Sequence, residues 1–156
     1  PANRFVAGFI GEPSMNFFEV MLEDDTLEGH GLEYPLSDDV LADVDVTDRL
    51  VLGIRPEDAE VAESDGPRTV TGTVNVIEPL GSINYIHATV GGEERILEVS
   101  GNRYANEGQE IAIQIPEDRI HLFHGETGKS LHNPTIDEET ISRPDFVSGQ
   151  GGATGD

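Results

Sequence analysis

The sequence predicts an all-β domain, and three observations carry that prediction. After Met15 the helical spacing of apolar residues gives way to short extended runs; these runs are rich in Val, Ile, Leu and aromatic residues; and Gly, Pro, Asp and Asn divide them at regular intervals. Short, evenly spaced strands with turn signals between them argue for a small barrel or sandwich and against a doubly wound α/β sheet. The expected strands are Phe17 to Leu22, Gly31 to Tyr34, Leu50 to Ile54, Thr69 to Ile77, Ile83 to Val90, Arg95 to Val99, Glu110 to Ile115 and Ile120 to Phe123. Gly91-Gly92 reads as the hairpin turn between two of them, because a two-residue turn of this kind needs positive φ at both positions. Ser37 to Val44 has the length and pattern for one helical turn. Leu80-Gly81 after Pro79 reads as a bend or bulge where a long strand changes direction.

The two ends differ from this middle. Phe5, Val6, Phe9 and Ile10 stand at helical spacing behind Asn3, a residue suited to an N-cap, and Gly11, Glu12 and Pro13 stop the pattern. Two helical turns cannot bury an apolar stripe alone, so the segment is expected to have packed against something in a longer chain of which this is a fragment. Beyond Leu131 apolar residues thin out, and the glycine-rich stretch from Arg143 to Asp156 is expected to stay unordered. The expected organisation is therefore 1–16 as the end of a preceding domain with its crossing segment, 17–132 as one β domain, and 133–156 as a flexible acidic, glycine-rich tail. One domain is also what 156 residues hold comfortably.

Charge excludes several partners. Thirty-one acidic residues face nine basic ones, a formal net charge of −22, and Lys129 is the one lysine. Nucleic-acid binding draws its free energy from Lys and Arg neutralising phosphate, and this field repels a polyanion. Anionic lipid headgroups are opposed for the same reason. The acid reads either as a solvated surface tuned to a very salty interior or as a site for a basic partner or cations. Its spread along the chain, with no single block, favours the first. The chain has no cysteine, hence no disulfide framework, thiolate metal site or cysteine nucleophile. No run approaches the roughly 18 apolar residues of a membrane helix.

Candidate chemistry is sparse. The patterns GxSxG, HExxH and GxxxxGK[ST] are all missing from the sequence. His121 and His124 raise a metal-binding reading, but residues three apart on a strand face opposite ways. Asp43, Asp45 and Asp48 echo a calcium loop weakly, since Thr47 stands where an oxygen ligand is wanted and Asp48 replaces the turn glycine. A half-buried strand showing acid to solvent explains the alternation of Asp43 and Asp45 with Val44 and Val46 equally well. Glu57 and Asp58 after Arg55-Pro56 could form a catalytic carboxylate pair, but an arginine beside acids at a strand exit reads more simply as a structural ion pair. Pro56 restricts Arg55 to extended geometry. No catalytic, cofactor-binding or metal-binding residue is expected.

A set of short motifs points further. Phe5-Val6-Ala7-Gly8-Phe9-Ile10-Gly11, Pro13-Ser14-Met15-Asn16, Leu52-Gly53-Ile54-Arg55-Pro56-Glu57, Glu78-Pro79-Leu80-Gly81 and His121-Leu122-Phe123 follow one another in an order and spacing that resemble the C-terminal part of sugar-importer ATPases. Over about residues 1 to 131 the chain is similar to the ATP-binding subunits of maltose, multiple-sugar and glycerol-3-phosphate ABC importers. The resemblance implies an OB-like regulatory domain of the transport-associated type, with a short N-terminal helix left over from the ATPase domain. It implies no hydrolysis by this fragment, because ATP and Mg would be held in the missing ATPase domain. The implied partners are a second ATP-binding subunit, identical or related, membrane permease subunits reached through the ATPase domain, and a regulatory protein docking on the surface. The implied place is the cytoplasmic face of the cell membrane, held there peripherally. The acidity, unlike that of the family at large, implies a salt-accumulating cell. Ser148-Gly149-Gln150-Gly151-Gly152 shares composition but not order with the ABC signature motif, and no helix follows it to meet a phosphate. The alternative reading is a small-oxyanion-binding OB-like transport module, which the negative charge opposes. An oligonucleotide-binding barrel would need a basic groove and stacking aromatics that the sequence lacks.

Overall fold

A computed structural model describes residues 15–101 and 105–134. In chain order its elements are β1 (Asn16–Glu23), β2 (Thr26–Gly29), β3 (Leu32–Pro35), α1 (Asp38–Val44), β4 (Arg49–Ile54), β5 (Glu60–Ala62), β6 (Thr69–Pro79), β7 (Ile83–Val90), β8 (Glu93–Ser100), β9 (Glu110–Gln114), β10 (His121–His124) and β11 (Ser130–His132). Single 3-10 turns at Pro56–Asp58 and Glu117–Arg119 follow β4 and β9. The expected N-terminal helix over Asn3 to Ile10, and the tail from residue 135, lie outside the described residues.

The strands form two antiparallel sheets, one ordered β11-β10-β4-β1-β2-β3 and the other β5-β9-β6-β7-β8. Alternation decides what each sheet buries. Phe18, Val20, Leu50, Leu52, Ile54 and Leu122 from the first meet Val70, Val74, Ile86, Leu97, Ile111 and Ile113 from the second in one apolar cluster. The mostly-β, OB-like class is as the sequence predicts.

Polar bonds seal the seams between the sheets. The Asn16 side chain donates to Ile96 O at 2.8 Å and accepts from Ile96 N–H at 3.1 Å, imitating a strand neighbour between β1 and β8. The buried Tyr34 hydroxyl donates to Ile115 O at 2.8 Å. Burial pushes the Tyr34 pKa far above its ordinary value, against a smaller lowering by Arg68. Arg68 donates to Pro35 O at 2.9 Å and pairs with Glu117, whose carboxylate also accepts from Ser37 N–H at 2.7 Å. Tyr34→Phe leaves the Ile115 carbonyl without that donor and should cost about 1–2 kcal/mol in urea unfolding. A change within a few tenths of a kcal/mol would show the bond to be dispensable.

Four details depart from the expectations. Strands β2, β5 and β11 were not among the expected ones: each is three or four residues long with too little alternation to read, and each is set by register against a partner, as in Leu27↔Tyr34, Val61↔Ile113 and Leu122↔His132. Asp43 to Val46 is not a half-buried strand. Ser37 caps α1 at Val40 N–H, Asp38 and Asp39 occupy the first turn where the helix dipole favours acid, and Val44 is buried from a helix while Val46 is exposed. The irregularity in β6 lies between Val74 and Val76. At Leu80-Gly81 the chain instead makes a tight reverse turn, closed by Leu80 N–H donating to Ile83 O at 2.9 Å, with Gly81 at φ +97°.

Candidate interaction surfaces

Both sheets present an outer face, and the residues there decide what the domain can meet. On the six-stranded sheet, the register Phe17↔Gly53, Glu19↔Val51 and Met21↔Arg49 continues into His121↔Gly53 and Phe123↔Val51, so all these side chains share one face. Met15, Val51 and Phe123 form an apolar cluster separate from the main core, with Phe17 packed against it. Phe17 meets Phe123 edge to face at 6.0 Å between centroids, and His121 stacks on Phe123 at 6.3 Å. Gly53 leaves room for the Met15 sulfur, which a β-carbon there would strike. Next to this cluster runs an open groove of about 390 Å³ lined by Glu19, Met21, His30, Arg49, Val51 and Gly125. Met21 is 43% exposed at its edge, so the face combines apolar contact area with charge of both signs.

The outer face of the five-stranded sheet carries Val76, Tyr85, His87, Glu78 and Glu94 around one another. His87 lies 3.2 Å from Glu78 through Nε2 and 3.1 Å from Glu94 through Nδ1. Burial alone would lower its pKa, but the hydrogen bonds to Glu78 and Glu94 outweigh that and raise it. On the inner side of β8, the Arg95 guanidinium lies 4.1 Å over the Phe18 ring and pairs with Glu93 at 3.0 Å. Burial lowers the Arg95 pKa and Glu93 opposes that, so the side chain acts as a charged plug at the edge of the core.

The structure separates the residues that sequence reasoning weighed as candidate sites. His121 belongs to the Phe123 stack and lies 3.3 Å from Asn133 Oδ1, whereas His124 accepts the Glu126 and Thr127 N–H groups in the turn before β11. Asp43 pairs with His132 at 2.9 Å, and Thr47 bonds the Arg49 backbone. Asp58, at the end of the first 3-10 turn, pairs at 3.1 Å with Arg119, at the end of the second. Ser148 to Gly152 lies outside the described residues. Among the described residues, no group of three His, Asp or Glu side chains is placed to hold a metal ion. Among them, too, no helix is long and apolar enough to cross a membrane. The Glu78–His87–Glu94 group was not anticipated. The Gly91-Gly92 turn sets Thr89 opposite Glu94 and so brings that glutamate diagonal to His87, but Glu78 arrives only through the irregularity in β6.

Comparison with known proteins fits these two sheets. The MalK OB fold domain matches residues 11–59, and the TOBE domain matches residues 52–123. This chain belongs to the MalK-type OB and TOBE domain family. The two matched segments overlap over residues 52–59, the end of β4 and the 3-10 turn after it; β4 pairs with β1 from the first segment and β10 from the second, so the OB and TOBE parts form one body around one core. Among curated relatives, the xylose/arabinose import ATP-binding protein XacK of Haloferax volcanii is 45% identical over 138 residues, covering 85% of this chain and 36% of that protein. The sn-glycerol-3-phosphate import ATP-binding protein UgpC 1 of Rhizobium johnstonii is 33% identical, covering 87% of this chain and 37% of that protein. The trehalose/maltose import ATP-binding protein MalK of Thermococcus litoralis is 34% identical, covering 84% and 38%. The chain thus spans well under half the length of the relatives it matches. Among solved structures, the cytoplasmic molybdate-binding protein ModG superposes with a TM-score of 0.54 at 15% identity, over 69% of this chain and 94% of that one, a likeness of fold.

Proposed function

We propose that this OB/TOBE body is the C-terminal regulatory and dimerisation domain of the ATP-binding subunit of an ABC importer for sugars or related solutes. The supporting observation is the unbroken OB-then-TOBE match from residue 11 to residue 123 in a chain whose relatives are import ATP-binding proteins. A two-sheet body with one shared core and two patterned outer faces suits a tether: it stays rigid while attached domains open and close, and a face with both apolar and charged groups can meet its own copy about a twofold axis. In this reading ATP and Mg bind outside the chain, a second ATP-binding subunit and the membrane permease subunits are the partners, and the assembly sits peripherally at the cytoplasmic face of the membrane. A regulatory protein would dock on a face left open by pairing.

The test has two arms. The purified chain should hydrolyse no ATP above buffer background; turnover would overturn the reading. The parent subunit without bound nucleotide should sediment as a dimer in concentrated KCl and as a monomer once this domain is removed. A dimer that survives removal of the domain would exclude the tether role.

A further inference from the structure

His87 stands at the centre of the outer face of the five-stranded sheet, and its two ring nitrogens point to opposite sides. Nε2 lies 3.2 Å from Glu78 Oε1 on β6, and Nδ1 lies 3.1 Å from Glu94 Oε2 on β8. An ionised carboxylate only accepts, so satisfying both contacts needs a proton on both nitrogens, and only the imidazolium has two. We propose that His87 is a protonation-controlled clasp tying β6 to β8 across β7, closed when the ring is charged and released on one side when it is neutral.

The surroundings leave the two glutamates as its polar partners. Directly opposite His87 stand Val76 on β6 and Ile96 on β8, both apolar. Along β7 its neighbours on the same face are Tyr85 and Thr89, and Thr89 already accepts from the Asn75 amide at 2.9 Å. The further charged groups that these registers place on this face are all acidic: Glu98 opposite Tyr85 on β8, Glu110 opposite Thr73 on β9, and Glu60 beyond it on β5. Glu93, at the end of β8, is engaged by Arg95. Burial opposes the charged ring and the two carboxylates outweigh it, which raises the His87 pKa.

A folded-state pKa above the unfolded value gives a contribution that is complete below the unfolded pKa and is lost as pH rises through the folded one. The clasp is therefore closed on the acid side and opens toward alkaline pH. A neutral ring keeps one N–H, holds one glutamate and turns a lone pair toward the other. What loosens is the β6–β7 hairpin, whose tip exposes Leu80 and whose face exposes Val76. The device thus gives pH control over how firmly an apolar part of the surface is held.

The experiment is an NMR titration of the His87 ring in the intact chain at about 2 M KCl, a salt level that screens the remaining surface charge. It is combined with hydrogen exchange at the Val76, Ile77, Glu78 and Tyr85 amides. Wild-type His87 should show the doubly protonated ring pattern and a midpoint above the ordinary histidine value of about 6.5. The E78Q/E94Q double variant, altered at two exposed positions, should titrate lower. Protection of the hairpin amides, corrected for intrinsic exchange, should fall by about threefold or more as pH passes the wild-type midpoint. It should stay flat in E78Q/E94Q and in His87→Gln. Equal midpoints in wild type and E78Q/E94Q, or hairpin protection that ignores pH in the wild type, would overturn the clasp. Should the double variant misfold, E94Q alone decides by the same comparison of midpoints.

Discussion

Replacing Gly91 by alanine should lower stability by about 3 kcal/mol, a large share of the roughly 5–15 kcal/mol that holds a domain together. Gly91 opens the two-residue turn between β7 and β8, and its φ of +62° already costs an L-residue about 1 kcal/mol. Its position costs more. The tip of the β2–β3 hairpin, His30-Gly31, lies directly against this turn, with His30 Nδ1 3.3 Å from Gly91 O. A β-carbon on Gly91 would fall on the carbonyl group of His30 and come within 2.9 Å of its Cα. These are backbone atoms, which cannot rotate aside, so the two hairpins and with them the two sheets must part. Gly92 provides the internal control: its φ is +88°, but a β-carbon there meets open space, so Gly92→Ala should cost only about 1 kcal/mol. Urea midpoints of the two variants measure the difference. Equal losses would mean that the hairpin tips do not constrain each other.

Removing salt should be the second large perturbation. Two like charges about 10 Å apart repel by about 0.4 kcal/mol in unscreened water, and a compact chain of net charge −22 holds more such pairs than the unfolded chain does. At about 1 M salt the Debye length is near 3 Å and most of this repulsion disappears. Among the described residues, Arg49, Arg68, Arg95 and Arg119 already pair locally with Glu126, Glu117, Glu93 and Asp58, and nine basic residues in all are too few to neutralise 31 acidic ones. Taking KCl from about 2 M to about 0.05 M should therefore lower the melting temperature by roughly 10 °C or more, equivalent to a few kcal/mol. A melting temperature that stays level or rises on desalting would refute the salt-adapted reading of the surface.

Legibility in the sequence tracked whether the deciding interaction was local. Leu50 to Ile54 and Ile83 to Val90 were readable because their own residues carry the apolar content of a strand, and Gly91-Gly92 because the turn needs residues tolerant of positive φ. Strands β2, β5 and β11 were not, because three or four residues hold too little pattern and the partner strand supplies the rest. The helical turn expected over Ser37 to Val44 is present, because the Ser37 cap is a local signal, whereas the alternation from Asp43 to Val46 taken alone fits a strand and a helix end alike. The outer faces were harder still. Gly53 could be named from the family motif, but its purpose, making room for Met15, depends on a residue nearly forty positions earlier.

By itself the sequence determined the strand-rich class, the acidic and cysteine-free character, the resemblance to importer ATP-binding subunits and most of the strand positions, since composition, alternation and turn chemistry act over a few residues. Tertiary structure alone decided that the OB and TOBE segments share β4 and one core, that Asn16 and Tyr34 seal seams to residues some 80 positions away, and that His87 stands between Glu78 and Glu94. Those facts depend on register between strands, and a shift of one residue would turn each of these side chains to the opposite face.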